Sequence, residues 1–194
     1  MLRGGTGRDK SGGLHAVGLA HAIFNNVIQP LVINRKMKMR QLNIPEIIDF
    51  ISSQSAETKI YIGADSERLN IRGDWYADYT LAIVVHIDGN HGCKVFGEVQ
   101  RERDYDKRQD RPRMRLMTEV YKIADLYLKL AEVLEDRYVE VHLDINPDEV
   151  HGSSCVLNEA IGYIKGMCNV VPMVKPHAFA ASVAADRMKD ILVA

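Results

Sequence analysis

The sequence predicts an α/β domain: a mixed five-stranded sheet, three antiparallel strands then parallel βα units, flanked by helices. Three observations predict it. Apolar, β-branched runs at 59–64, 75–87 and 93–99 are separated by turn residues, as in consecutive hairpins. Two further runs of this kind, at 138–144 and 170–174, alternate with segments of helical periodicity. Right-handed βαβ crossovers then place the later strands parallel to the first, with helices covering the sheet.

Composition agrees with one folded domain. A chain of 194 residues, 46% hydrophobic and 26% charged, suits a single sizeable core and not a disordered tail. The net charge of -1 and pI near 6.7 give no global positive field, so a nucleic-acid partner would be held by a local patch and metal ions. Cys93, Cys155 and Cys168 form no C-x-x-C pair and read as buried, reduced thiols. No apolar run approaches the ~20 residues of a membrane helix, and no hydrophobic segment follows the basic start. A cytoplasmic protein without a membrane partner is expected.

Residues 1–43 read as a flexible or appended segment. GGTGRDKSGG lacks the spacing of a phosphate loop. Residues 14–33 suit a helix ended by Pro30, and Met37 or Met39, within a basic stretch at 35–40, could each serve as a start. The domain proper runs over 44–194. Pro45 suits a first helical turn, with Ile47, Ile48 and Ile51 on one face. KIYIGA (59–64) is a buried strand closed by a turn at Asp65-Ser66. WYADYTLAIVVHI (75–87) and CKVFGEV (93–99) are joined by a turn at Asp88-Gly89-Asn90. A long helix over 113–135 carries the stripe Leu116, Val120, Ile123, Tyr127, Leu130 and Leu134. YVEVHLD (138–144) is the fourth strand. Ser153 or Ser154 caps a helix to Met167, and 170–174 is the fifth strand. Pro176 opens a last, alanine-rich helix.

The acids carry the chemistry. Ligands of open α/β sheets gather beyond the carboxyl ends of parallel strands. Asp65 and Asp144 each stand at such an end, on strands expected to be neighbours. An aspartate at a strand end is commonly an Asx-turn residue; a matched pair points to a site. Val139, Val141 and Leu143 alternate with Glu140, His142 and Asp144, giving that strand one polar face. On the long helix, Glu119 lies about 60° from the centre of the apolar stripe, whereas Asp125 points away. Three hard oxygen ligands suit Mg²⁺ or Mn²⁺, which offset the repulsion of clustered carboxylates.

Together with this order of elements, Asp65, Glu119 and Asp144 resemble the ribonuclease H-like superfamily. Three stretches resemble its bacterial and phage YkuK family more closely: Ile62-Gly63-Ala64-Asp65-Ser66, Val141-His142-Leu143-Asp144-Ile145, and KPHAFAASVAADR from Lys175 to Arg187. The resemblance spans about 130 residues and implies a ribonuclease H-like fold. Its fourth acid maps onto Asp186. The residue pattern sets Asp186 opposite the apolar side made by Ala180, Ala181, Ala184, Met188 and Ile191. Asp65-Ser66-Glu67 also fits the D-x-E opening of proofreading-type 3′–5′ exonucleases, although His177 and Asp186 do not match their last motif.

These residues make the leading expectation a Mg²⁺- or Mn²⁺-dependent nuclease acting on RNA, an RNA–DNA hybrid or structured DNA. Asp65, Glu119, Asp144 and Asp186 are its catalytic metal ligands. Glu67, His142, Lys175 and His177 are auxiliary, and Arg108, Arg111, Arg113 and Arg115 contact nucleic acid. The bland alternatives are a salt-bridged solvated loop for the arginines and a hydrogen-bonded structural histidine for His142. A different class is a non-catalytic nucleic-acid-binding module on the same fold. A nucleotide-binding relative of the sugar kinases would need a glycine-rich hairpin after Asp65, and Glu67-Arg68-Leu69 offers none.

Overall fold

The computed structural model describes residues 41–193 apart from Asn90 and residues 107–109. The segment expected to be flexible up to residue 40, and Arg108, lie outside the described residues. Helix α1 spans Ile44–Ser52. Asn43 accepts a hydrogen bond from the Glu46 amide at 3.4 Å and Pro45 occupies the first turn, as helix starts favour. Strands β1 (Lys59–Ile71), β2 (Asp74–His86) and β3 (Cys93–Arg103) form an antiparallel meander, and β4 (Tyr138–Leu143) lies parallel to β1. The sheet order is β3-β2-β1-β4.

The sheet thus has four strands, not five. In place of the expected fifth, Met173 alone bridges His142, exchanging amide–carbonyl bonds with Val141 and Leu143 at 2.8 and 2.9 Å. Beyond it the Lys175 amide bonds the Ile145 carbonyl at 3.0 Å, not that of Leu143, so the parallel register slips and the ladder goes no further. The first strand also runs past its expected end. β1 continues beyond Asp65, and the chain reverses at Arg72 and Gly73, whose φ angles are 54° and 94°. A two-residue hairpin with positive φ at both positions matches the twist of the strands.

The long helix divides at Leu130 (φ -105°, ψ 0°) into α2 (Arg113–Lys129) and α3 (Ala131–Leu134). Ser153 does not cap the next helix. Its hydroxyl accepts from the Asn146 amide at 3.0 Å, a 3₁₀ turn fills Gly152–Val156, and α4 spans Leu157–Cys168. The last helix opens with a π-helical turn, Ala180–Ala184, and continues as α5 (Ala185–Val193).

Alternation along the strands sorts side chains to two faces. Ile60, Ile62, Ala64, Leu81, Ile83, Val85, Val141 and Leu143 are buried against Ile47, Ile51, Leu116, Val120, Ile123, Ala160 and Ile164 of the helices. Full burial of each large aliphatic side chain is worth about 1.5–3 kcal/mol. The opposite face of β1 and β4, with Tyr61, Gly63 and His142, packs against the last helix: Tyr61 and Phe179 rings are 4.7 Å apart, and His142 and Phe179 4.9 Å. Cys93 and Cys168 are buried thiols, but Cys155 is exposed on the 3₁₀ turn. Among the described residues, no helix is long and apolar enough to cross a membrane.

Candidate functional site

The parallel ladder ends where Ala64 pairs Leu143. Asp65 and Asp144 are the next residues on their strands, so their carboxylates leave the sheet side by side on the face of the last helix. β1 itself runs on, with Asp65 paired to Thr80 of β2. The site therefore forms where β4 stops and β1 does not. Burial raises the Asp65 pKa, and the neighbouring Asp144 charge raises it further; Asp186 acts in the same direction, against a Ser66 backbone hydrogen bond and Lys189. Asp144 Oδ2 accepts from Lys175 Nζ at 2.9 Å, whereas its Oδ1 is buried without a hydrogen-bond partner.

Glu119 reaches the same region from α2, on the other face of β1. It is only 4% exposed and is not a solvated flank residue. Ser66, whose side chain points opposite to that of Asp65, donates its hydroxyl to Glu119 Oε1. Arg115 Nη1 donates to both the carbonyl and the hydroxyl oxygen of Ser66, each at 2.7 Å. Burial pushes the Glu119 pKa well above the carboxylate range; the Asp65 and Asp144 charges raise it, and Ser66 and Arg115 oppose them. Asp144 thus acts on Asp65, and both act on Glu119, as charges within one electrostatic neighbourhood do.

Asp186 stands at the rim, its side chain 57% exposed, 3.1 Å from Lys189. Lys189 also lies 3.2 Å from Glu67, which shares the face of Asp65. Periodicity missed Lys189, which α5 brings across to β1. The π turn begins at the point where the chain touches β1. A Cβ built on Gly63 would stand 2.5 Å from the Ala181 nitrogen, so only glycine admits this approach. Turns of this kind recur at functional sites.

The auxiliary histidines differ. His142 is fully buried; its Nδ1 accepts from the Ala180 amide at 3.0 Å, and Nε2 lies 2.9 Å from Glu140. That pairing fixes the neutral tautomer with the proton on Nε2. His142 thereby ties β4 to the last helix. His177 is exposed.

The basic segment is largely paired. Arg101 makes a two-pronged bond to Asp78 at 2.6 Å, Arg103 meets Asp74, Lys122 meets Glu102, and Arg113 meets Glu159. Asp104 pairs with Arg68. Asp106 caps α2, accepting from the Met114 and Arg115 amides at 3.1 and 2.7 Å. Of the four arginines expected to contact nucleic acid, Arg115 turns inward toward Glu119, Arg113 is ion-paired, and Arg111 is exposed.

Among the described residues, no three His, Cys, Asp or Glu side chains are gathered as a metal-ligand cluster. Three of the four acids are instead engaged locally: Glu119 by Ser66, Asp144 by Lys175, Asp186 by Lys189. The donor chemistry nevertheless fits a hard divalent cation. All the donors are carboxylate oxygens, the Asp144 charge adds to the cost of ionising Asp65, and Asp144 has a buried, unpartnered oxygen.

A search of curated proteins and a search of solved structures each find no match. The family described as ribonuclease H-like matches residues 43–190, which takes in every strand, every helix but the last turn of α5, and all four acids. The chain belongs to the ribonuclease H-like family.

Proposed function

We propose that this chain is a divalent-metal-dependent nuclease that hydrolyses phosphodiester bonds in RNA, an RNA–DNA hybrid or structured DNA. Membership of a family of nucleases and nucleic-acid enzymes supports the class of activity. The observation that carries the reading is the pair Asp65 and Asp144, adjacent beyond the parallel ladder, one with a raised pKa and the other with an unpartnered buried oxygen. Asp65 and Asp144 would hold Mg²⁺ or Mn²⁺, with Glu119 and Asp186 completing the ligand set. Such an ion supplies an activated water and stabilises charge on the leaving oxygen. Ser66 and Arg115 orient Glu119 from below. Lys175 and Lys189, facing the acids, would meet a phosphate, and Arg111, just before α2, is a solvent-facing cation. Glu67, on the face of Asp65, is an auxiliary acid, with His142 a positioning residue and His177 a solvent-facing one.

The same proposal includes the YkuK-like assignment, a domain beginning at residue 44 after an appended segment, and a cytoplasmic location. The test is cleavage of labelled RNA, hybrid, duplex and branched substrates with Mg²⁺ and with Mn²⁺. Asp65→Asn and Asp144→Asn should each lower turnover by more than the ~10–100-fold that outer-shell changes cost a metal site. Full activity in both variants would overturn the reading. The ion pairs of Asp144 and Asp186 with lysines favour one second reading, a non-catalytic nucleic-acid-binding module. Calorimetry showing no uptake of Mn²⁺ would select it.

A further inference from the structure

The extension of β1 beyond Asp65 builds an arm that the carboxylate chemistry does not use. Beyond the end of β4, residues Ser66–Ile71 pair with Asp74–Tyr79, and Tyr76–Tyr79 pair in turn with Gln100–Arg103. Trp75, the single tryptophan of the sequence, sits near the tip opposite Asn70 and remains 42% exposed. The Arg68 guanidinium lies 4.2 Å from the centre of its ring and is anchored by Asp104 at 2.6 Å and the Asp106 carbonyl at 2.9 Å. The Trp75 carbonyl accepts from the Asp104 amide at 2.9 Å, and the next residue, Tyr105, is 67% exposed. Arg72 at the tip and Arg111 beyond the loop are exposed, with no ion-pair partner among the described residues.

By strand alternation, Trp75, Arg68 and Ser66 share one face, and Ser66 touches Glu119. Contacts run from the exposed indole through Arg68, Asp106, Arg115 and Ser66 to Glu119. Asn70 is five residues past Asp65, about 17 Å at ~3.4 Å per residue. An aromatic surface backed by a fixed guanidinium, with the exposed Arg72 at the adjoining turn, has the chemistry of a base-stacking platform. A duplex hides base faces in its stack; an unpaired strand presents them.

We propose that the arm, through Trp75 and Tyr105, binds an unpaired nucleic-acid strand by base stacking and leads it round the edge of β1, beyond the end of β4, to Asp65 and Asp144 on the opposite face. This deepens the nuclease reading and rests on it for the direction of the strand, not for binding itself. The platform selects unpaired over paired substrate and is indifferent to base identity, because every base offers a π-face.

The test uses the full chain in EDTA, so that binding is read without cleavage. Labelled single-stranded RNA and DNA oligonucleotides, and a blunt duplex of equal length, are titrated while anisotropy and intrinsic tryptophan fluorescence are followed. Single strands should quench Trp75 in step with the anisotropy change, and the duplex should not. Trp75→Ala and Tyr105→Ala should each weaken single-strand binding roughly tenfold, and Trp75→Phe should restore most of it. Binding that leaves the fluorescence unchanged, equal affinity of Trp75→Ala, or absence of single-strand binding would overturn the platform. Cleavage assays with Mn²⁺ separate the two readings. Quenching in a chain that never cleaves keeps the platform and removes the nuclease. Cleavage abolished by Asp65→Asn, without quenching, does the reverse.

Discussion

Ala181 packs against Gly63 so closely that a Cβ on the glycine would lie 2.5 Å from the Ala181 nitrogen. This contact seats the last helix on the strand that carries Asp65, two residues along. Helix packing and site assembly thus depend on one missing methyl group.

Gly63→Ala is accordingly expected to destabilise the domain by about 1–3 kcal/mol, the usual cost of overpacking, because the clash is with backbone and not with a flexible side-chain end. Urea denaturation followed by circular dichroism measures it. An unchanged midpoint would show that the helix can move away at no cost.

Protonation of the acids links stability to pH. Burial comes first among the causes that raise both Asp65 and Glu119, with carboxylate neighbours adding to it. A carboxyl with a higher pKa folded than unfolded stabilises the fold fully below its unfolded value, about 4, and that contribution is lost as pH rises through the folded value. The metal-free protein should therefore lose thermal stability as pH climbs out of the ordinary carboxylate range. Glu119→Gln should remove most of this slope, since Glu119 is the more strongly shifted. Melting temperatures collected across a pH series in EDTA decide it, and a variant with the wild-type slope would contradict the assignment.

Two arginines close in sequence should behave differently. Arg115 makes two 2.7 Å bonds to Ser66, which itself bonds buried Glu119; Arg115→Ala should cost about 1.5–3 kcal/mol, as hydrogen bonds to charged groups do. Arg113, exposed and paired with Glu159, should cost no more than ~1 kcal/mol as alanine. Equal losses in chemical denaturation would mean that Arg115 has no structural role.

His142 should act through the fold. Replacing it with alanine strands the buried Ala180 amide and frees Glu140, at a cost of about 1–3 kcal/mol for the unmet group. If its role is positioning, the pH profile of the proposed cleavage by the His142→Asn variant should match that of the wild type even where its melting temperature falls. A lost limb in that profile would make His142 a proton-transfer group.

Much of the domain is legible in local pattern, because backbone periodicity and turn chemistry act over a few residues. The amphipathic start at Ile44, the hairpin strands, the stripe on α2 and the alternation of β4 all follow from side chains that choose a face by their spacing. The same logic places Asp65 and Asp144 at matching positions, once β1 and β4 are neighbours.

Other features depend on groups distant in sequence. Whether 170–174 becomes a strand turns on which carbonyls its amides meet, and the Lys175 amide, bonded to Ile145, leaves only a bridge at Met173. The reach of β1 past Asp65 is set by its pairing with β2 to the tip, which a polar, mixed segment does not announce. Glu119 becomes a buried member of the site because Ser66 and Arg115 close over it from 53 and 4 residues away. Lys175 and Lys189 meet their acids only after the last helix settles on Gly63. Local spacing assigns a side chain to a face; register and close packing between distant segments determine what it touches there.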